Sequence, residues 1–223
     1  MKIASWNCNG KFREKYKIIK ETNADIYVIQ ECENPEETKN EDYQVFGDNC
    51  IWIGNNRNKG LGIFASPNII ITNNDWPSYS LRNFISVKVN DSFDLLAVWA
   101  GKPYIEEYFI YHLINEKYYN DNMLVIGDFN SNKIWDKKHQ HRNHSAAVEL
   151  LNDIGLTSAY HLKYNEEQGK ETVDTFFLYR HKSKGYHIDY AFANEKSVRS
   201  FKILTDDIWL NHSDHRPIVL ELY

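Results

Sequence analysis

The chain has 223 residues, 42% of them hydrophobic and 26% charged, the proportions of a globular protein large enough to bury a sizeable core. Its formal net charge of −5 argues against tight binding along a long duplex footprint, which usually goes with a basic surplus. No apolar run approaches the roughly 18 residues of a membrane span, so a membrane partner is not expected.

Lys2-Ile3-Ala4-Ser5-Trp6 reads as a strand that runs into Asn7, with Asn9-Gly10 as a turn. Because the N-terminus enters a strand pattern directly rather than a signal peptide, a cytoplasmic protein is expected. Cys8, Cys32 and Cys50 cannot all pair and lack metal-site spacing, which fits packing thiols in a reducing compartment. Phe12, Tyr16 and Ile19 recur at helical spacing, with Asn23 as the stop. Ile26-Tyr27-Val28-Ile29-Gln30 reads as a strand buried on both faces, and Glu31 closes it. Strands follow over 51–53, 61–65, 69–72, 84–89 and 93–99, punctuated by Asn, Gly or Pro. Ile105, Tyr108, Phe109 and Leu113 mark a second helix, and Met123-Leu124-Val125-Ile126 a strand leading into Gly127-Asp128-Phe129-Asn130. Ala147, Leu151 and Ile154 mark a third helix, ended by Gly155. Strands over 175–179, 187–192 and 217–222 close the chain, the last preceded by Ser213-Asp214-His215-Arg216. Strands alternate with helices near both ends and follow one another in the middle, which points to two mixed sheets covered by helices.

The polar residues at the strand ends carry the chemistry. Each has a plain structural reading when taken alone: an Asn-Gly turn after Trp6, a surface Glu after Gln30, an Asx turn at Asp128 to Asn130, a salt bridge between Asp189 and His215. Together, Glu31, Asp128, Asp189 and Asp214 with Asn7, Asn130 and His215 suggest a divalent-metal phosphoesterase, since hard cations take oxygen ligands. Glu31 is the first candidate ligand, with Asn7 and Asp214 beside it. Asp128 can accept the proton of an attacking water while Asn130 holds that water or a phosphate oxygen. His215 needs a partner on one ring nitrogen, and Asp189, costly if buried unpaired within an apolar strand, is the candidate. Two carboxylates about 4 Å apart repel by about 4 kcal/mol at an effective dielectric near 20, so acids that converge need a cation among them or a proton. Of 31 acidic residues four belong to this set, so the remaining 27 nearly balance the 26 basic ones.

In this order and over essentially the full length, Trp6-Asn7-Cys8-Asn9-Gly10, Gln30-Glu31, Gly127-Asp128-Phe129-Asn130, His187-Ile188-Asp189-Tyr190 and Ser213-Asp214-His215 resemble the motifs of the endonuclease/exonuclease/phosphatase superfamily. The resemblance implies an α/β fold, a four-layer α/β/β/α sandwich of two mixed sheets flanked by helices, formed as one domain over 1–223 with the site at one sheet edge. It also implies hydrolysis of a phosphate ester by in-line attack of water with Mg²⁺ or Mn²⁺ as cofactor. Carried over, Glu31 and Asn7 serve the metal, and Asp128 and Asn130 position and activate the water. Asp189 orients His215, which binds the phosphoryl oxygen or acts as the base, and Asp214 supports the metal or this pair. Whether Asp128 or His215 takes the proton stays open. Two stretches depart from the pattern: many members carry a His where this chain has Val98-Trp99-Ala100, and only residues 100–122 separate Trp99 from the next strand. Tyr104 and Tyr108 are both candidates for the Tyr that repair nucleases carry in a longer loop there.

Residues 132–144 form the most basic segment and directly follow the Asp128/Asn130 motif. Arg142 and His144 within it, and Lys102 and Tyr104 in Gly101-Lys102-Pro103-Tyr104, are the candidate substrate contacts, with Trp135 as a surface on which a base can stack. A monomeric nuclease acting on DNA or RNA, with DNA repair among the roles the resemblance implies, is the leading reading. A phosphatase or phosphodiesterase acting on a nucleotide or another small phosphorylated molecule is the alternative, and a catalytically degenerate binding module the third.

Overall fold

The computed structural model describes residues 1–223. In chain order it comprises β1 (Lys2–Asn7), α1 (Phe12–Lys20), β2 (Ile26–Cys32), α2 (Glu41–Phe46), β3 (Cys50–Asn56), β4 (Lys59–Ala65), β5 (Ile71–Asn73), β6 (Phe84–Val89), β7 (Phe93–Trp99) and α3 (Ile105–Asn115). There follow β8 (Met123–Asp128), α4 (Asp136–His139), α5 (His144–Asp153), β9 (Leu156–Ser158), α6 (Ala159–Tyr164), β10 (Phe176–Phe177), β11 (Gly185–Tyr186), β12 (Asp189–Asn194), β13 (Val198–Ile203), α7 (Ile208–His212) and β14 (Ile218–Leu222).

Two six-stranded sheets form, ordered β13-β14-β1-β2-β4-β3 and β5-β6-β7-β8-β12-β9, with β10-β11 as a separate ribbon. Both sheets are mixed: β1 runs parallel to β2 and β7 to β8, and the remaining pairs are antiparallel. Strand alternation sorts the apolar side chains into three cores. Ile3, Ile26, Val28 and Ile63 of the first sheet meet Leu95, Ala97, Leu124, Ile126 and Ala191 of the second between the sheets. Ala4, Trp6, Tyr27 and Ile29 point the other way, onto Phe12, Tyr16 and Ile19 of α1 and Tyr43 of α2. Leu96, Val98, Val125 and Phe192 likewise pack on Ile105 and Tyr108 of α3 and Ala147 and Leu151 of α5. This is the expected four-layer α/β/β/α sandwich, and burial on both faces is why β2 reads as an unbroken apolar run.

Some boundaries differ from those expected. The strand expected over 69–72 starts at Ile71, because Asn49 takes the Ile69 carbonyl with its side-chain amide at 2.8 Å. The strand expected over 175–179 stops at Phe177, since Tyr179 and Arg180 adopt left-handed φ of 56° and 58°. The first helix ends at Lys20, and Asn23 (φ 50°) sits in the turn beyond it. Seven elements were not anticipated: α2, whose start is capped by the Asn40 side chain accepting from the Tyr43 N–H at 3.0 Å, together with α4, β9, α6, β11, the edge strand β13 and α7.

Candidate active site

Strands β1, β2, β7 and β8 end, and β4, β12 and β14 begin, along one edge of the sandwich. Side-chain parity decides what gathers there. Asn7 is in step with Ile3 and Ser5, Asp128 with Leu124 and Ile126, and Asp189 with Ala191 and Ala193, so each points into the space between the sheets that the central core fills below. Glu31 does not follow by parity. It is the extra residue of a β-bulge, where the register against β4 shifts between Gln30 and Cys32, and its φ of 63° turns the carboxylate back toward Asn7. Gly127 permits β8 to approach β7: its φ is +147°, and a Cβ there would lie 1.9 Å from the Val98 carbonyl oxygen.

At the centre lies an imidazole between two carboxylates. His215 Nδ1 is 2.9 Å from Asp189 Oδ2, and Nε2 is 4.0 Å from Asp128 Oδ2. Asp189 and Asp128 come from facing positions of the antiparallel pair β12-β8, whereas His215 belongs to the loop entering β14 in the other sheet. All three are buried, with ligand-type atoms within 4.8 Å of one another. Burial pulls the imidazole toward neutrality, but Asp189 and Asp128 outweigh it and lift His215 from 6.5 to about 10. Burial raises Asp128 to about 7, against the pull of the imidazole and with Asp189 pushing the same way. Both carboxylates thus favour the charged form of the His215 ring, whose Nδ1 faces Asp189 and Nε2 faces Asp128.

Neutral groups hold this cluster in place. The Asn7 side-chain amide donates to Asp128 Oδ2 at 2.9 Å and lies 3.5 Å from Glu31 Oε1, bridging the two sheets. Its oxygen accepts from the Asn9 N–H at 3.1 Å, so Asn7 meets the acids through nitrogen and acts as a bridge between carboxylates. Asn130 (φ 48°) folds back, giving its N–H to Asp128 Oδ1 at 2.8 Å and its amide to the Ala100 carbonyl at 3.1 Å. An Asx turn and a site residue thus coincide in one tetrapeptide. Asp214 flanks the cluster, half-exposed, its carboxylate 3.5 Å from Ser213 Oγ. Two residues that sequence reasoning passed over are structural keys. Thr175 Oγ1 accepts the N–H groups of both Ile188 and Asp189, and Ser213 Oγ donates to the Asn7 carbonyl at 2.6 Å while accepting from the His215 N–H. Ser213 stood at the head of its motif without a role of its own, and Thr175, twelve residues before His187, carries no sequence signal.

The substrate-side candidates divide. Lys102 and Tyr104 stand in the loop after β7, whose Ala100 is hydrogen-bonded to both the Asp128 backbone and the Asn130 side chain. Tyr108 is fully buried against His112 and presents no surface, leaving Tyr104 as the loop's tyrosine. Arg142 is exposed, with its guanidinium 3.9 Å from Glu106. His144 is only 1% exposed, packed on Tyr190 and bonded to Gln168, a core residue rather than a surface one. The Asn143 cap turns the first residue of α5 inward, and adjacency to the motif in sequence does not show this. The pairing of β10 with β11 as a ribbon was also unforeseen. Phe176 pairs with His215 across a β-bridge and packs on its ring at 4.8 Å, and the ribbon's tip carries exposed Tyr179, Arg180, His181, Lys182 and Lys184. A half-buried aromatic path continues from Phe176 to Tyr186 (6.4 Å) and from Tyr186 to Trp135 (5.1 Å).

The donors suit a hard divalent cation. Those outside the buried cluster are the oxygens of Glu31 and Asp214, and no soft ligand stands among them: Cys8 and Cys32 are buried, with thiols that burial pushes well up. Four carboxylates (Glu31, Asp128, Asp189, Asp214) stand against the His215 imidazole and one ammonium, that of Lys59 at 2.9 Å from Glu31, a surplus of acidic groups that a cation would offset.

A family model described as the Endonuclease/Exonuclease/phosphatase family matches residues 4–215. Among solved structures, a 3'-5' exonuclease from Neisseria meningitidis is similar over 100% of this chain and 99% of its own, at 19% identity and a TM-score of 0.71. A Neisseria 3' phosphatase bound to a product DNA hairpin matches with the same coverage at 18% identity and 0.72. An AP endonuclease from Archaeoglobus fulgidus does so at 18% identity and 0.70. No curated protein matches. No helix is long and apolar enough to cross a membrane.

Proposed function

We propose, given that the chain belongs to the endonuclease/exonuclease/phosphatase family of phosphoester hydrolases, that it is a divalent-metal-dependent nuclease acting as one domain over 1–223. The observation that carries the reaction class is the buried Asp128–His215–Asp189 cluster, joined through Asn7 to Glu31 on the facing sheet. A Mg²⁺ or Mn²⁺ ion held by Glu31 and Asp214, with Asn7 bridging Glu31 to Asp128, would supply positive charge to the phosphoryl oxygens.

The chain's own residues do the rest. Asp189 fixes the His215 ring and keeps it charged, so Nε2–H donates to a non-bridging phosphate oxygen as charge builds there. Asp128, raised toward neutrality by burial, takes the proton of the attacking water, and Asn130 and Asn7 hold its carboxylate in line. Lys102 and Tyr104 contact the substrate from the β7 side.

A polymer is favoured by the ribbon beside His215. Its exposed Arg180 and Lys184 supply charge for backbone phosphates, and the Phe176–Tyr186–Trp135 path offers faces for unpaired bases, with exposed Lys133, Lys137 and Lys138 next to Trp135. The formal net charge of −5 favours the second reading, hydrolysis of a small phosphomonoester. Labelled single-stranded, duplex and abasic DNA, RNA and a phosphomonoester, each assayed with Mg²⁺, Mn²⁺ or chelator, separate the two. Shortened chains are expected; release of inorganic phosphate alone supports the second reading. Metal-independent turnover, or full activity in His215→Ala, ends both.

A further inference from the structure

We propose that Lys59 is a substrate-binding residue that exchanges partners: its ammonium pairs with Glu31 while no cation is held there, and with a substrate phosphate once one is. The inference rests on the phosphoester reading above. Lys59 opens β4 opposite the bulge that presents Glu31, with Gly60 facing Cys32 in register. Its Nζ lies 2.9 Å from Glu31 Oε2 and 5.4 Å from the centre of the Trp99 ring. Trp99 belongs to the other sheet, in register with Asp128. The lysine therefore reaches across the mouth of the cluster from one sheet to the other. No other Lys or Arg pairs with Glu31, Asp128, Asp189 or Asp214.

The exchange follows from competition for one carboxylate. Glu31 Oε1 faces Asn7 and Oε2 faces Lys59, so a divalent ion on Glu31 replaces the ammonium. The Lys59 side chain is half-exposed, which lets the head group move without losing hydration. Its hold on the Trp99 face keeps it at the mouth after Glu31 is taken. The freed ammonium then stands beside the phosphate that the cation draws in. The pair that the cation displaces joins opposite unit charges, and at about 4 Å in a water-like medium its loss is worth about fivefold in cation affinity.

Lys59→Met retains the apolar stem over Trp99 and removes the charge, whereas Lys59→Arg retains the charge. Thermal-shift titration of the substrate-free full chain with Mg²⁺ and with Mn²⁺ should reach half-saturation at about fivefold lower cation in Lys59→Met, and within twofold of wild type in Lys59→Arg. At saturating cation, Lys59→Met should raise the KM for an oligonucleotide severalfold and Lys59→Arg should restore it. A Lys59→Met protein whose half-saturation and KM both match wild type, or that binds the cation more weakly, overturns the role of Lys59. A wild-type chain that neither takes up cation nor cleaves any phosphoester overturns the parent reading, and the exchange with it.

Discussion

Asp189→Asn isolates the electrostatic part of the site, because it keeps the shape and backbone of the residue while removing one negative charge. His215 is lifted from 6.5 to about 10 in spite of burial, a net stabilisation of the imidazolium of about 5 kcal/mol at 1.36 kcal/mol per unit. Asp189 supplies both charge and the 2.9 Å hydrogen bond, whereas Asp128 stands at 4.0 Å, so about half or more of that sum leaves with Asp189. A loss of about 3 kcal/mol in the transition state is a rate loss of roughly 100-fold, and misorientation of the ring adds to it. The Asp189 N–H keeps its bond to Thr175 Oγ1, so the fold should survive. Single-turnover cleavage of a labelled oligonucleotide from pH 6 to 10 measures the rate, and the His215 Cε1–H resonance measures the titration. The wild-type ring should stay charged through neutrality, with the variant titrating far lower. A folded Asp189→Asn protein within tenfold of wild type, or an imidazole that titrates unchanged, refutes the reasoning.

Gly127→Ala drives a Cβ to within 1.9 Å of the Val98 carbonyl at a φ of +147°, and should cost about 3 kcal/mol or more, read by denaturant unfolding; an unchanged midpoint would show that β7 and β8 can separate freely. Thr175→Ala leaves two buried N–H groups without an acceptor and should destabilise by about 2–4 kcal/mol, with Thr175→Ser recovering most of it. Burial lowers His112 and His144 from 6.5 to about 4, so the unfolded chain binds their protons more readily than the folded one. Their contribution is complete above pH 6.5 and is lost as pH falls toward 4, about 3 kcal/mol for each. Denaturant melts at pH 7.5 and 4.5 should show the fall, and His144→Phe should remove roughly half of it; an equal slope in the variant contradicts this.

Much of the fold was legible because its strands are buried on both faces and so stand out as apolar runs. Residues 84–89 and 93–99 match β6 and β7, and Gly155 (φ 84°) follows α5 as expected. The elements that escaped lack that signature. Edge strand β13 is largely accessible apart from Phe201 and Ile203, and α2, α6 and α7 are five or six residues long, too short to establish a period. Within the site, Asn7, Asp128 and Asp189 were readable because each continues the inward parity of its strand. Glu31 was singled out for ending an apolar strand, but its direction was not readable, since it lies out of phase and a bulge leaves no mark in the sequence. The misplacement of His144 has the same origin: distance along the chain stood in for direction, and a cap residue set the direction. The ribbon's place beside His215 was hidden because its one contact there is a single bridge, from Phe176 to a loop residue 39 positions further along the chain.

The seam between the two sheets runs through the cluster. Asn7 and His215 ride on one slab, Asp128 and Asp189 on the other, and contacts of about 3 Å cross between them. Sliding of the slabs by a single ångström, far short of unravelling, would part these groups, and such misplacements cost reactions about two decades in rate. Turnover should therefore fade under mild urea or modest pressure well before circular dichroism registers any change, making catalysis a strain gauge for the interior of the sandwich.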